Sequence, residues 1–253
     1  MMRTFLCFSI VALLAACATS PLGRNQLMLV SGAEMDAMGV AAFADMQKKT
    51  PATKDAKASA YVNCVATTVV REMGSGKAWE VTTFEDKQVN AFALPGGKIG
   101  VYTGMLKVAQ NQDQLAAVIG HEVAHVLAGH SAERMSEQMA SQMGLQAASA
   151  ATGLDPEVLG IATNVFFLMP HSRIQESEAD LLGLDYMAKA GFDPRQAPEL
   201  WRNMSKSGGQ KPPEMLSTHP SDETRIGHLN QRLSIALPLY EQAKATGKRP
   251  QCK

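Results

Sequence analysis

Among the 253 residues of this chain, His121-Glu122-Val123-Ala124-His125 combines the types and spacing that most directly suggest chemistry. Successive helical residues turn by about 100°, so histidines four apart lie about 40° apart and one turn along, and both rings can reach one metal ion. Glu122 falls about 60° to the side of His125. That offset suits a general base acting on a metal-bound water better than a third ligand. Two imidazoles and a carboxylate make zinc the expected ion, with a third protein ligand and an open fourth position still to be found.

The flanking residues say what kind of helix must carry the pair. From Leu115 to Leu127 the chain is apolar nearly all round, as in a central buried helix, and His121, Glu122 and His125 are its strongly polar side chains. Burying such groups without partners costs on the order of 1 to 3 kcal/mol each, which a bound cation would offset. Asn111 followed by Gln114 forms a candidate capping box that starts the helix. Downstream, Ser172 with Gln175 is read as a second helix start. Glu176 and Asp180, four apart, share a face of that helix, whereas Glu178 points about 200° away from Glu176. Glu176 is therefore assigned as the third ligand. Asp180, one turn on, could accept a hydrogen bond from the free ring nitrogen of a ligating histidine. His130 does not fit the three-histidine pattern, which wants glycine at 128 and histidine at 131 where this chain has Ala128 and Ser131. With the helix continued it lies about 140° from His125, so it is expected to be a surface or capping residue.

Five ordered motifs together resemble a known family. They are Gly23-Arg24-Asn25-Gln26-Leu27, Val89-Asn90-Ala91-Phe92-Ala93-Leu94-Pro95-Gly96-Gly97, His121 through Val126, Ser172-Arg173 with Glu176-Ser177-Glu178-Ala179-Asp180, and Ser217-Thr218-His219-Pro220-Ser221. The chain resembles the HtpX-like and BepA-like zinc metallopeptidases, minigluzincins that include the CAAX prenyl proteases and the mitochondrial Oma-type protease. The resemblance implies a zincin-like metallopeptidase domain with a small sheet beside the HExxH helix. It also implies endopeptidase activity, one zinc ion per chain held by His121, His125 and Glu176, and Glu122 as base. In such enzymes the histidine matching His219 can cover the metal at rest. His171 stands where relatives usually carry another residue.

Composition sets the remaining bounds. The 24 basic and 24 acidic side chains balance, so there is no electrostatic case for nucleic acid. The chain reads as α+β and mainly helical, with one small sheet. Helices are predicted near 33–48, 54–73, 103–109, 112–130, 131–150, 155–168, 173–190, 194–205 and 221–234, and strands near 78–84, 88–94 and 98–102.

Arg3 followed by an apolar run from Phe5 to Ala16 reads as a signal peptide over residues 1–16. Leu14-Ala15-Ala16-Cys17 resembles the bacterial lipobox, which implies lipid on Cys17. With Ala18 following, it implies sorting to the periplasmic face of the outer membrane. Residues 17–32 are then expected as lipid anchor and tether, and 33–253 as the metallopeptidase domain. Cys64 and Cys252 remain as an even pair outside the reducing cytosol and are expected to form a disulfide.

The strand-like segments Gln88–Leu94 and Lys98–Tyr102 flank the turn signal Pro95-Gly96-Gly97. An extended substrate could add to an edge strand there, which makes Asn90, Ala91 and Phe92 candidate substrate-binding residues; replacing Asn90 or Phe92 would raise KM without releasing zinc. His219, ahead of Pro220, is a candidate for oxyanion stabilisation or for latching the metal, and Asp180 for orienting a ligand or moving a proton. Met135, Met139 and Met143 form a stripe expected to pack in the core, and Val165-Phe166-Phe167-Leu168-Met169 is expected as core or lid. The competing reading is a chaperone-like assembly factor for outer-membrane proteins with latent proteolysis.

Overall fold

The computed structural model of the protein describes residues 17–74, 76–152, 169–207, 215 and 223–253. Its middle is built round one apolar helix, as the run from Leu115 predicts. This helix, α3 below, spans Gln112–Leu127, and every residue from Gln114 to His125 is buried. Asn111 caps it, its side-chain oxygen accepting from the Gln114 N–H at 2.9 Å. The Gln114 side chain reaches back one residue further than a standard capping box, accepting from the Gln110 N–H at 2.9 Å.

Ahead of it in the chain come the hairpin β1 (Cys17–Thr19) and β2 (Asn25–Leu27), the helices α1 (Gly32–Lys49) and α2 (Ala56–Arg71), and the strands β3 (Glu80–Phe84), β4 (Ala91–Leu94) and β5 (Lys98–Tyr102). After it follow α4 (His130–Thr152), α5 (Met169–Lys189), α6 (Gln196–Ser207) and α7 (Glu223–Ala245). The three-stranded sheet has the order β3-β5-β4, with β3 parallel and β4 antiparallel to β5. Gly96 and Gly97, at φ +83° and +71°, make the turn between β4 and β5 in a backbone region that side chains disfavour. Helices α2, α5 and α6 and strand β4 pack round α3, giving the mainly helical α+β, zincin-like arrangement expected.

Helices α3 and α5 approach each other closely. A Cβ on Gly183 would lie 2.7 Å from the His121 backbone nitrogen, and one on Gly120 would lie 2.9 Å from the Gly183 carbonyl oxygen. Two facing glycines thus let the helices cross backbone to backbone, directly beside the first histidine of the pair. Among the described residues no helix is long and apolar enough to cross a membrane.

Cys64 in α2 is bonded to Cys252, as the cysteine pairing predicts, with the Cα atoms 5.7 Å apart. The tail so fixed also meets α3: Gln112 donates to the Pro250 carbonyl at 2.9 Å and accepts from the Cys252 N–H at 2.9 Å.

Several expectations need correction. Residues 17–32, expected as anchor and tether, contain the β1–β2 hairpin, a second sheet in addition to the predicted one, with Gln26 buried and bonded to the Ala128 carbonyl at 2.8 Å and the Leu29 N–H bonded to Ser136 Oγ at 2.8 Å. Ser172 does not open α5 but lies inside it, since the helix already runs from Met169 among the described residues. The predicted helix at 103–109 is a single 3-10 turn, Met105–Lys107, and α7 continues past 234 through Pro238. Met139 and Met143 are not core residues but are 41% and 66% exposed, while Met135 is half-buried. The segment 155–168, which carries most of the Val165–Met169 run, lies outside the described residues.

Candidate metal centre

Helix α3 delivers His121 and His125 one turn apart on the side that faces α5, and α5 answers with Glu176. The two histidine Nε2 atoms are 3.1 Å apart. Glu176 Oε2 is 3.3 Å from His121 Nε2, and its Oε1 is 3.3 Å from His125 Nε2. These three buried side chains form the described cluster able to hold a metal ion. Glu122, next along α3, is also buried.

A second layer orients the first. His121 Nδ1 lies 3.0 Å from Asp180 Oδ1, where the helical spacing predicts it. Arg225 of α7 grips both oxygens of Asp180, at 2.7 and 2.8 Å, and its Nη1 is 3.1 Å from Glu176 Oε2. The guanidinium lies 4.1 Å from the Trp201 ring centre, and Trp201 in turn meets the His121 ring edge-on at 5.3 Å. Burial works against the charge on Asp180, but Arg225 and then His121 outweigh it and hold its carboxyl below the usual range. Burial also pushes His121 down, yet its bonds to Asp180 and Glu176 prevail and raise it to about 9.

His130 departs from expectation. It is fully buried, and its Nδ1 lies 2.9 Å from His125 Nδ1. The cause is Gly129, whose φ of +70° ends α3 at Leu127 and turns the chain, so that the first residue of α4 swings back onto the ligand. A glycine just past an apolar helical run is a C-terminal stop signal, and it could have shown this from sequence. His130 Nε2 continues to Glu178 Oε2 at 3.2 Å. Glu178 thus faces away from the cluster, as the angular spacing predicts. Its carboxylate is also bonded by Arg24 of the N-terminal hairpin, Nε to Oε2 at 3.1 Å. Arg24 makes a forked pair with Glu133, which also receives Gln26 at 3.1 Å and Gln175 at 2.7 Å. Burial is the larger influence on His130 and keeps its pKa below the ordinary value.

Strand β4 is the sheet edge on the side of α3. The Tyr102 N–H donates to the Asn90 carbonyl at 3.1 Å, so the alternation of an antiparallel pair commits Asn90 and Phe92 to β5 and turns the main-chain groups of Ala91 and Ala93 outward. The Phe92 side chain belongs to a cluster with Phe43, Phe84 and Tyr102 and covers Gly100. Met215, buried after α6, donates its N–H to the Val89 carbonyl at 3.2 Å. His219 lies outside the described residues, and Arg225, Trp201 and the Arg24–Glu133 pair had no role in the sequence reading.

The chain is similar to known proteins. The chain is 39% identical over 179 residues to the mitochondrial metalloendopeptidase OMA1 of Schizosaccharomyces pombe, covering 70% of this chain and 53% of that protein. It is 28% identical over 257 residues to a putative beta-barrel assembly-enhancing protease of Vibrio cholerae, covering 94% of this chain and 53% of that protein. To the beta-barrel assembly-enhancing protease of Escherichia coli it is 26% identical over 225 residues, 84% of this chain and 46% of that protein. The chain thus spans about half the length of these relatives. Residues 56–233 match the model of Peptidase family M48. That match runs from α2 into α7, through both helices that supply the clustered donors, and the chain belongs to peptidase family M48.

Proposed function

We propose that this protein is a zinc-dependent endopeptidase of the bacterial envelope, anchored by lipid on Cys17 to the periplasmic face of the outer membrane and acting on misfolded or misassembled envelope proteins. The observation that carries the catalytic part is the convergence of His121, His125 and Glu176 from two helices, with Glu122 buried and next to His121 in the sequence. Two donors about 2.0 to 2.1 Å from a tetrahedral zinc stand about 3.3 to 3.4 Å apart. The separations of 3.1 to 3.3 Å fit that ion, and the donor set is the expected one.

When bound, zinc supplies a Lewis acid that polarises a peptide carbonyl and lowers the pKa of water from about 15.7 toward 7. His121, His125 and Glu176 would hold it. Glu122 accepts the proton of the attacking water and hands it to the departing amine. Asp180 fixes the His121 ring by accepting from Nδ1, and Arg225 holds both Asp180 and Glu176 in place. His219, assigned from its motif, stabilises the oxyanion or latches the resting site. The outward amides of β4 at Ala91 and Ala93 bind an extended substrate by strand addition, with Asn90 and Phe92 shaping the edge.

The envelope setting draws support from the Cys17 motif, the Cys64–Cys252 disulfide and the names of the bacterial relatives. Those names also favour a second reading, in which the chain assists assembly of outer-membrane proteins and cleaves only occasionally. Metal analysis combined with cleavage of an unfolded test protein, with and without chelator, tests the proposal. Glu122→Gln is expected to keep zinc and lose cleavage by about 10²- to 10⁴-fold; full activity in that variant would refute the mechanism. Release of cleavage products by wild type, with retention of the intact unfolded protein by Glu122→Gln, supports the peptidase over the assembly factor.

A further inference from the structure

The two histidines of the cluster are braced differently. His121 hands its second ring nitrogen straight to a carboxylate, Asp180, at 3.0 Å. His125 faces another imidazole, that of His130, nitrogen to nitrogen at 2.9 Å. At that distance one nitrogen must carry a proton and the other a lone pair.

We propose that the N-terminal hairpin is a working part of the metal centre, orienting His125 through Arg24, Glu178 and His130. This rests on the zinc reading above. For His125 to offer the lone pair of Nε2 to the cluster, its proton must sit on Nδ1. His130 Nδ1 then accepts, so neutral His130 carries its proton on Nε2, which lies 3.2 Å from Glu178 Oε2. A carboxylate only accepts, so it selects this arrangement. The opposite set of tautomers would face a lone pair to the Glu178 oxygens and point an N–H of His125 into the cluster, against any cation. Glu178 is held in that attitude by the hairpin, through Arg24 Nε at 3.1 Å and the Leu22 N–H at 3.4 Å. Arg24 is fixed in turn by its fork on Glu133. His130, Glu133 and Glu178 are all buried, so water is a poor substitute for any of them. The hairpin lies before residue 56, outside the residues that match the family model.

The test measures zinc affinity of the full chain by competition with a chromogenic chelator, for wild type, Arg24→Ala, His130→Phe and the double variant. Folding of each metal-free protein is checked by circular dichroism. Single variants are expected to bind zinc about 10- to 100-fold more weakly. Because Arg24 acts through His130, the double variant should lose no more than His130→Phe alone. Imidazole ¹⁵N spectra of the metal-free protein give a readout that loss of packing alone would not move: neutral His125 carries its proton on Nδ1 in wild type and divides it between Nδ1 and Nε2 in His130→Phe. If Arg24→Ala does not fold, Arg24→Lys, which keeps the charge but cannot fork between Glu133 and Glu178, takes its place with a smaller loss. Variants that bind zinc within twofold of wild type, or losses that multiply in the double variant, would overturn the relay. A wild type that binds no zinc would overturn the metallopeptidase reading and the relay with it.

Discussion

Replacing Arg225 with methionine keeps most of the side-chain volume and removes one charge from the centre. That charge serves three partners: both oxygens of Asp180 at 2.7 and 2.8 Å, Glu176 at 3.1 Å and the Trp201 ring at 4.1 Å. Arg225, Asp180 and Glu176 are each at most 6% exposed, so the two carboxylates cannot recover their hydration when the guanidinium goes. Breaking a buried pair from one side costs about 3 to 5 kcal/mol. At about 2 to 4 °C per kcal/mol for a chain of this size, the melting temperature of the metal-free protein should fall by about 6 to 20 °C. Saturating zinc gives Glu176 a replacement cation, so the deficit should shrink when the metal is added. Thermal melts followed by circular dichroism, in chelator and in excess zinc, measure both quantities. A change under about 2 °C in chelator, or a deficit that zinc leaves intact, would refute the view that Arg225 neutralises this pair of carboxylates.

Gly183→Ala forces a Cβ to 2.7 Å from the His121 nitrogen, so α5 must shift; the expected cost is about 1 to 3 kcal/mol in urea denaturation together with weaker zinc binding as Glu176 moves off. His121, raised from 6.5 to about 9, supports the metal-free fold fully below pH 6.5 and withdraws that support as pH climbs through about 9. The same proton must leave before zinc can bind, so affinity measured against a chelator should rise about tenfold per pH unit up to about 9 and then level off; a flat profile from pH 7 to 9 would contradict it. Cys64→Ser opens a link spanning 188 residues and should cost about 2 to 4 kcal/mol in urea, while a thiol assay on the unreduced protein should find neither Cys64 nor Cys252 reactive.

Angular arithmetic on two helices was enough to bring His121, His125, Glu176 and Asp180 together, because helical periodicity is local and both helices are regular over those residues. What failed lay where regularity stops. Extending α3 through His130 fails because Gly129 ends it, and a capping box at Ser172 fails because helix is already present there. The strands of the N-terminal hairpin are three residues long, too short for alternation to register, so the segment passed as a tether. A period of four told that Met139 and Met143 share a helix face, but not that the face meets solvent. Arg225 stands 45 residues from Asp180 and has no local signature at all; only the packing of α7 against α5 pairs them.

Were Cys17 to carry lipid as proposed, the N-terminal hairpin would also set how far the protein stands from a bilayer. Sixteen flexible residues from Cys17 to Gly32 would give a leash of about 20 to 24 Å between an acylated cysteine and the body of the molecule. Instead Cys17 is itself part of β1, paired with Leu27, and the hairpin and the residues beside it are fastened to α4 and α5 by Gln26, Leu29 and Arg24. Acyl chains on that cysteine would therefore moor the folded body flush with the lipid surface, fixing its attitude as well as its address. Polypeptides emerging at or lying along that surface would come within reach, and those diffusing freely some tens of ångströms away would not.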